Sequence, residues 1–245
     1  RAWISEDEHG KKTATSYTGR ADTAFRLKEQ VQFMLNTENE LAGSITSDIP
    51  GLTRNDDGTY TFTYIVNSLT KHGKIKALSN LDERKSLKQQ HKLLSEVNTF
   101  EVEVGGTYIT VTLNPIHLHQ NISGAGETLT NLFNDDLGGG RLERKINKKG
   151  YEELYNRSLA ITDFHDNKLA LNLVQLLKDP SLTPRQRFIF KDLLQKLVGL
   201  PTVYACKSSV DRGGAASAIR ATNTYFLQHR EKWTGKSLNE LIDSQ

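Results

Sequence analysis

The chain holds one cysteine, Cys206, and an arginine six positions later, Arg212. Between them stand Lys207, Ser208, Ser209, Val210 and Asp211, and Gly213 and Gly214 follow. A thiol, an ammonium, two hydroxyls, a carboxyl and a guanidinium in so short a span have the makings of phosphoryl transfer. A thiolate attacks phosphorus well. A guanidinium presents a planar fork of donors to phosphate oxygens, which a point charge cannot copy. A loop that runs into a helix turns its backbone N–H groups and the helix N-terminus on the same anion. Such a field moves a cysteine thiol from about 8.5 into the range of roughly 3.5–7.5. The competing reading is a lone cysteine acting as a small buried hydrophobe, the usual fate of an unpaired thiol. That reading leaves the flanking Lys207, Asp211 and Arg212 unexplained.

The elements needed to position these groups are legible on both sides. Residues 201–205 are apolar and β-branched enough for a buried strand, ended abruptly by polar residues. Gly213 and Gly214 let backbone approach an anion closely and are expected to open a helix. Residues 215–228 are alanine-rich and helix-favouring. Ala218, Ala221 and Tyr225 recur there at helical spacing and predict the inward face. The expectation is therefore strand, loop of Cys-x5-Arg, helix.

Protein tyrosine phosphatases carry a glycine where this loop has Ser209. The run Cys206-Lys207-Ser208-x-x-Asp211-Arg212 instead resembles the loops of inositol polyphosphate 4-phosphatases and of phosphoinositide phosphatases that bacterial pathogens inject into host cells. The lead-in Gly199-Leu200-Pro201-Thr202-Val203-Tyr204-Ala205 is similar to that of the injected enzymes, and the Legionella effector 3-phosphatases are the nearer likeness. The Asp-Arg ending is also similar to that of myotubularins and Sac-type lipid phosphatases. The resemblance covers the loop and its two flanks. It implies Cys206 as nucleophile, Arg212 as phosphate clamp and Asp211 as in-loop acid, with Lys207 reaching a second phosphate on an inositol ring. Ser208, Ser209, Val210, Gly213 and Gly214 would line the phosphate site. Asp211 can equally cap the helix or pair with Arg212. Such loops follow the arginine with Thr or Ser, and here that position is Gly213, so a catalytically silent phosphoinositide-binding module is the alternative. A protein or soluble inositol-phosphate phosphatase is the rival within enzymes.

A chain of 245 residues can bury a substantial core, as one α/β domain or one domain with an insertion. Hydrophobic residues make up 36%, mean hydropathy is −0.53, and no run approaches the roughly 18 apolar residues of a membrane span. One cysteine rules out an internal disulfide and suits a reducing compartment. A formal net charge of +3 permits attraction to anionic lipid but does not argue for nucleic acid. The chain opens at Arg1 with neither initiator methionine nor signal-peptide pattern, as a piece of a longer protein would.

Taken in order, residues 1–20 read as a polar, irregular arm, and 22–36 as an amphipathic helix. Turn signals fill 44–58, and 60–66 alternates as a strand. Residues 75–97 carry a helical leucine pattern. Residues 100–104 and 107–113, joined by Gly105-Gly106, form the strongest hairpin signal in the chain. With 60–66 they predict one antiparallel sheet ahead of the cysteine. Pro115 interrupts the strand pattern over 114–121. His117 and His119 share a face there, as surface or loop histidines rather than metal ligands. The region 121–150 reads as an insertion or mobile region, with Gly138-Gly139-Gly140 inside it. Arg141, Arg144, Lys145, Lys148 and Lys149 form a basic run, either a solvated face or a rim facing anionic headgroups. Residues 151–161 read as helix. Asp163 and Asp166 are candidates for a general acid on a separate loop, with an N-cap as the competing role. Residues 169–177 form an apolar helix. A further helix starts at Thr183-Pro184 and stops at Gly199. Residues 237–240 have the spacing of a short capped helix.

Together these readings predict an α/β fold, a cysteine-phosphatase-like central mixed sheet flanked by helices, as a single domain over 1–245. Its partner would be a phosphoinositide headgroup at a membrane surface. The protein would be soluble, peripheral to membranes and monomeric, without nucleic acid, cofactor or metal. As a bacterial effector it would be secreted into the host cytosol.

Overall fold

The strand expected at 201–205 forms as β7 (Thr202–Cys206), and all five of its residues are buried. The computed structural model describes residues 2–6, 12–42, 49–70, 81–121, 141–179, 181–206 and 211–229. Lys207, Ser208, Ser209 and Val210, the glycine-rich 122–140 and the helix expected at 237–240 lie outside them.

β7 is a middle strand of a seven-stranded sheet. The other strands are β1 (Ala2–Glu6), β2 (Lys12–Gly19), β3 (Leu52–Arg54), β4 (Tyr60–Thr70), β5 (Thr99–Val104) and β6 (Thr107–Asn121). The order is β1-β2-β7-β4-β6-β5, with β3 beside β4. β2, β7, β4 and β6 run parallel, while β1, β3 and β5 are antiparallel to β2, β4 and β6. The helices are α1 (Ala24–Ala42), α2 (Leu81–Leu94), α3 (Arg141–Leu159), α4 (Phe164–Leu176), α5 (Pro184–Val198) and α6 (Asp211–Gln228). The class is α/β with a mixed sheet, as the sequence predicts. Among the described residues no helix is long and apolar enough to cross a membrane.

Helices cover both faces, which is why β7 is a continuous apolar run rather than an alternating one. On one face Leu27, Val31 and Leu35 of α1 pack with Phe62, Val66 and Val203. On the other, Leu154, Leu173, Phe190 and Leu194 of α3, α4 and α5 pack with Ile65, Ile116 and Leu118. Each such side chain contributes about 1.5–3 kcal/mol on burial. Tyr204 and Cys206, on the face opposite Val203, join Tyr17, Leu69, Phe188 and Ala216 in a third cluster.

Several local expectations hold. Gly105 and Gly106 both take positive φ, 55° and 81°, the two-residue turn that matches strand twist in a hairpin. Thr183 opens α5 with a capping box and Pro184 in the first turn, and Gly199 closes it in the left-handed conformation at φ 72°. Arg187 donates to the carbonyls of Leu177 and Asp179 just past α4, satisfying acceptors a helix end leaves open.

Others are corrected. The arm expected over 1–20 contains β1 and β2. Thr and Ser fill β2 without apolar alternation, and its place comes from ladders to β1 and β7, with Thr15 and Ser16 buried. β4 and β6 pair parallel, so the antiparallel sheet expected from 60–66 and 100–113 is limited to the β5–β6 hairpin. β6 runs unbroken through Pro115. Beyond Thr112 its β5 neighbour has ended and only β4 remains, so a residue without an N–H is tolerated on the open side. The open edge is covered further on, where Asn147 Oδ1 accepts from the His119 N–H at 2.7 Å and Lys191 Nζ donates to the His119 carbonyl at 3.1 Å. His117 and His119 are consequently buried rather than on a surface or loop. Helix α3 begins at Arg141, ten residues before the expected start, and carries the basic run in its first turns, with Arg144, Lys145, Lys148 and Lys149 exposed.

Close approach of α3 to the sheet rests on Gly150. A Cβ there would fall 2.5 Å from Leu118 Cδ2 and 2.6 Å from the backbone oxygen of His117. The leucine tip can yield; the carbonyl cannot. Gly150→Ala is expected to destabilise the protein by about 1–3 kcal/mol through overpacking, despite the roughly 1 kcal/mol that alanine adds to helix propensity. A lower urea midpoint at unchanged m-value would register it.

Candidate functional site

Because β2, β7, β4 and β6 are parallel, their C-terminal ends share one edge of the sheet, where open α/β sheets place their ligands. Cys206 is the last residue of β7 and pairs in register with Gly19, the last of β2. On the other side Ala205 pairs with Ser68 of β4. Helix α6 then starts at Asp211, so the backbone of Asp211, Arg212, Gly213 and Gly214 forms its first turn. The helix thus opens two residues before the glycine expected to initiate it, so Asp211 and Arg212, expected in the loop, stand in its first turn, and β7 and α6 frame residues 207–210. Cys206 itself is 1% exposed and lies in the cluster with Tyr17, Leu69, Phe188, Tyr204 and Ala216.

A buried polar network ties this strand to this helix. Asp192 of α5 accepts on Oδ1 from the Tyr204 hydroxyl at 2.6 Å and from Arg220 Nη1 at 2.7 Å, and on Oδ2 from Asn223 Nδ2 at 2.8 Å. Tyr204 lies two residues before Cys206, whereas Arg220 and Asn223 lie on α6. Burial works against the carboxylate, but Arg220, Lys196 and the two hydrogen bonds hold Asp192 below the usual carboxylate range. Burial, with Arg220 adding and Asp192 opposing, pushes Lys196 down to about 7. The inward face of α6 is therefore Ala216, Arg220, Asn223 and Phe226; Ala218 and Tyr225, expected inward, are exposed. Apolar periodicity cannot find a face that is buried through its polar groups.

A second group gathers on the other side of the strand ends. Arg20, which follows β2 and is 5% exposed, donates from Nη2 to the Leu69 carbonyl of β4 at 3.0 Å. Since β7 lies between β2 and β4, this bond spans the end of the strand that carries Cys206. Ser68 Oγ donates to Gln90 Oε1 at 2.5 Å and therefore accepts from His117 Nε2 at 2.8 Å. That leaves His117 Nδ1 to accept from His91 Nδ1 at 3.3 Å. Burial, then His91, then Arg20 push His117 down to about 3. Partial burial, then Lys145 and Lys149 of α3, also lower His91. Lys145 and Lys149 of the basic run of α3 thus stand close enough to act on His91.

The other candidates fall elsewhere. Asp163 is the N-cap of α4, accepting from the Asp166 N–H at 2.8 Å, as its competing role predicted. Asp166 is in the first turn of that helix, which packs against α3 and α5. No group of three or more His, Cys, Asp and Glu that could hold a metal occurs among the described residues. Arg20, Gln30 and Lys85, which line a cavity of about 710 Å³ at the end of β2, were not singled out by sequence. The sequence carries no signal for them, because the threonines and serines of β2 hide the strand whose end brings them together. The chain matches no protein-family model and no curated protein sequence.

Removing the Asp192 carboxylate strands the Arg220 guanidinium, whose side chain is 3% exposed. Asp192→Ala is expected to cost about 3–5 kcal/mol in urea unfolding. His117 gives a pH signature. Between about 6.5 and 3 the unfolded chain binds a proton that the folded imidazole refuses, so stability is full above 6.5 and falls as pH drops toward 3. Urea midpoints across pH 7 to 4 should fall less steeply for His117→Gln than for the wild type.

Proposed function

We propose that this chain is a cysteine-dependent phosphatase that removes a phosphate, the 3-phosphate foremost, from phosphoinositides at a membrane surface. The observation that carries the reading is the place of Cys206. It ends a central parallel strand, and an 18-residue helix begins at Asp211 directly after the four intervening residues. A helix N-terminus aimed at the end of that strand supplies a positive dipole where a phosphate would sit. Arg20, Lys145 and Lys149 add positive charge nearby. That field suits a polyanionic ring more than a peptide.

In this mechanism the Cys206 thiolate attacks phosphorus in line. An S–P bond forms as the P–O bond to the ring breaks, and the leaving oxygen takes the Asp211 proton. Arg212 and the loop amides neutralise the equatorial oxygens, while Lys207 meets a neighbouring phosphate. Water then attacks the phosphocysteine, returning its proton to Asp211 and releasing phosphate and thiolate.

A second reading is supported by the burial of Cys206 among Tyr17, Leu69, Phe188, Tyr204 and Ala216: a core cysteine with no chemistry. Gly213 favours a third, a silent phosphoinositide-binding module.

A panel of water-soluble phosphoinositides beside a phosphotyrosine peptide separates them. Phosphate release from the lipids, reduced roughly 10³-fold or more in Cys206→Ser with binding retained, is the expected outcome. Binding without release in the wild type would support the silent module. Neither binding nor release, with a thiol inert to alkylation at pH 6, would support the core cysteine.

A further inference from the structure

The cavity of about 710 Å³ beside the end of β2 is large enough for a substituted ring. Gly19, Arg20, Arg26, Gln30, Phe33 and Lys85 are among the residues that line it. Gly19 joins it to the candidate centre, because Gly19 is the register partner of Cys206. Among the described residues a Cβ at Gly19 would meet no heavy atom within 4 Å.

The wall offers donors and an acceptor of specific kinds. Gln30, 4% exposed, donates from Nε2 to Thr18 Oγ1 at 2.7 Å. The Thr18 hydroxyl gives its own proton to the Gly19 carbonyl at 3.0 Å, so it can only accept from Gln30. This fixes the amide orientation and leaves Gln30 Oε1 as a buried acceptor with no hydrogen-bond partner among the described residues. Such an oxygen is costly to the fold until a donor reaches it. Asp22 is occupied by Arg26 Nη1 at 2.9 Å and by the Ser86 hydroxyl at 2.9 Å, which holds Arg26 at the cavity. Lys85 is an exposed cation on α2, and Glu29 an exposed carboxylate on α1. Phosphate needs donors, and a hydroxyl needs an acceptor. A polyol carrying both matches this wall, with Phe33 offering an apolar surface to ring C–H groups. A phosphotyrosine ring has neither a second phosphate nor a hydroxyl to use here.

We infer that this cavity receives the ring of a polyol phosphate whose scissile phosphate lies at Cys206, with Arg26 and Lys85 meeting a further ring phosphate and Gln30 Oε1 accepting from a ring hydroxyl. The inference rests on the phosphatase reading for where the scissile phosphate lies. The ring's source is either a lipid headgroup or a soluble inositol phosphate.

The test is calorimetric titration of the full chain carrying Cys206→Ser, which prevents turnover, with soluble inositol bisphosphate, with vesicles bearing the corresponding phosphoinositide, and with inorganic phosphate. Gln30→Leu, Lys85→Ala and Gly19→Val are each expected to lower the ratio of ring affinity to inorganic-phosphate affinity about tenfold. Gly19 has an ordinary φ and no described heavy atom within 4 Å of a Cβ, so the folding of Gly19→Val should be spared. Lys92→Ala, an exposed lysine elsewhere on α2, controls for loss of charge and should leave that ratio unchanged. Tighter binding to vesicles identifies the lipid, tighter binding to the free ring identifies the soluble phosphate, and either supports the cavity. A ratio within twofold of the parent in all three variants overturns it. A wild-type chain that releases no phosphate while the ratio falls sinks the catalytic reading and leaves the cavity standing.

Discussion

Asp192 is the group through which β7 and α6 are held as one unit. Its two carboxylate oxygens take a tyrosine hydroxyl from the strand and a guanidinium and an amide from the helix, all out of water. A buried charge of this kind is tolerable only when fully partnered, and each partner is in turn anchored by the packing around it. The ends of the segment 207–210 are therefore set by α5, an element that touches neither of them in sequence. Any chemistry at Cys206 depends on that spacing being held.

The opposite side of β7 is organised differently. There, hydrogen bonds rather than one carboxylate carry the order: Arg20 reaches the Leu69 carbonyl, and the His91–His117–Ser68–Gln90 chain links α2 to β6 and β4. His117 stays neutral because burial, His91 and Arg20 all disfavour its charge. A neutral imidazole can donate on one nitrogen and accept on the other, which is what this chain requires.

Much of the local structure was legible because it is decided locally. The Gly105-Gly106 hairpin, the Thr183-Pro184 helix start and the Gly199 stop each depend on φ preferences or on hydrogen bonds within a few residues. The apolar run of β7 was readable because two covering layers demand it. The strand β2 was hidden by its threonines and serines, whose burial is made possible by neighbours far away in sequence. Pro115 misled for a related reason: a proline argues against a strand only where both neighbours need its N–H, and β6 has one neighbour there.

From its sequence alone this chain determined the order of cysteine, basic and acidic groups between a strand and a helix, since residue types and spacing are properties of the chain itself. What only the tertiary structure decided is which of those groups have company. Parallel pairing of β2 with β7 sets Gly19 beside Cys206, and packing of α1 and α2 around the end of β2 opens a polar cavity next to it. Packing of α5 against α6 turns Arg220 and Asn223 inward, against their apolar neighbours. These juxtapositions join residues tens to hundreds of positions apart, and no local preference encodes them; they follow from closing one sheet between two helical layers.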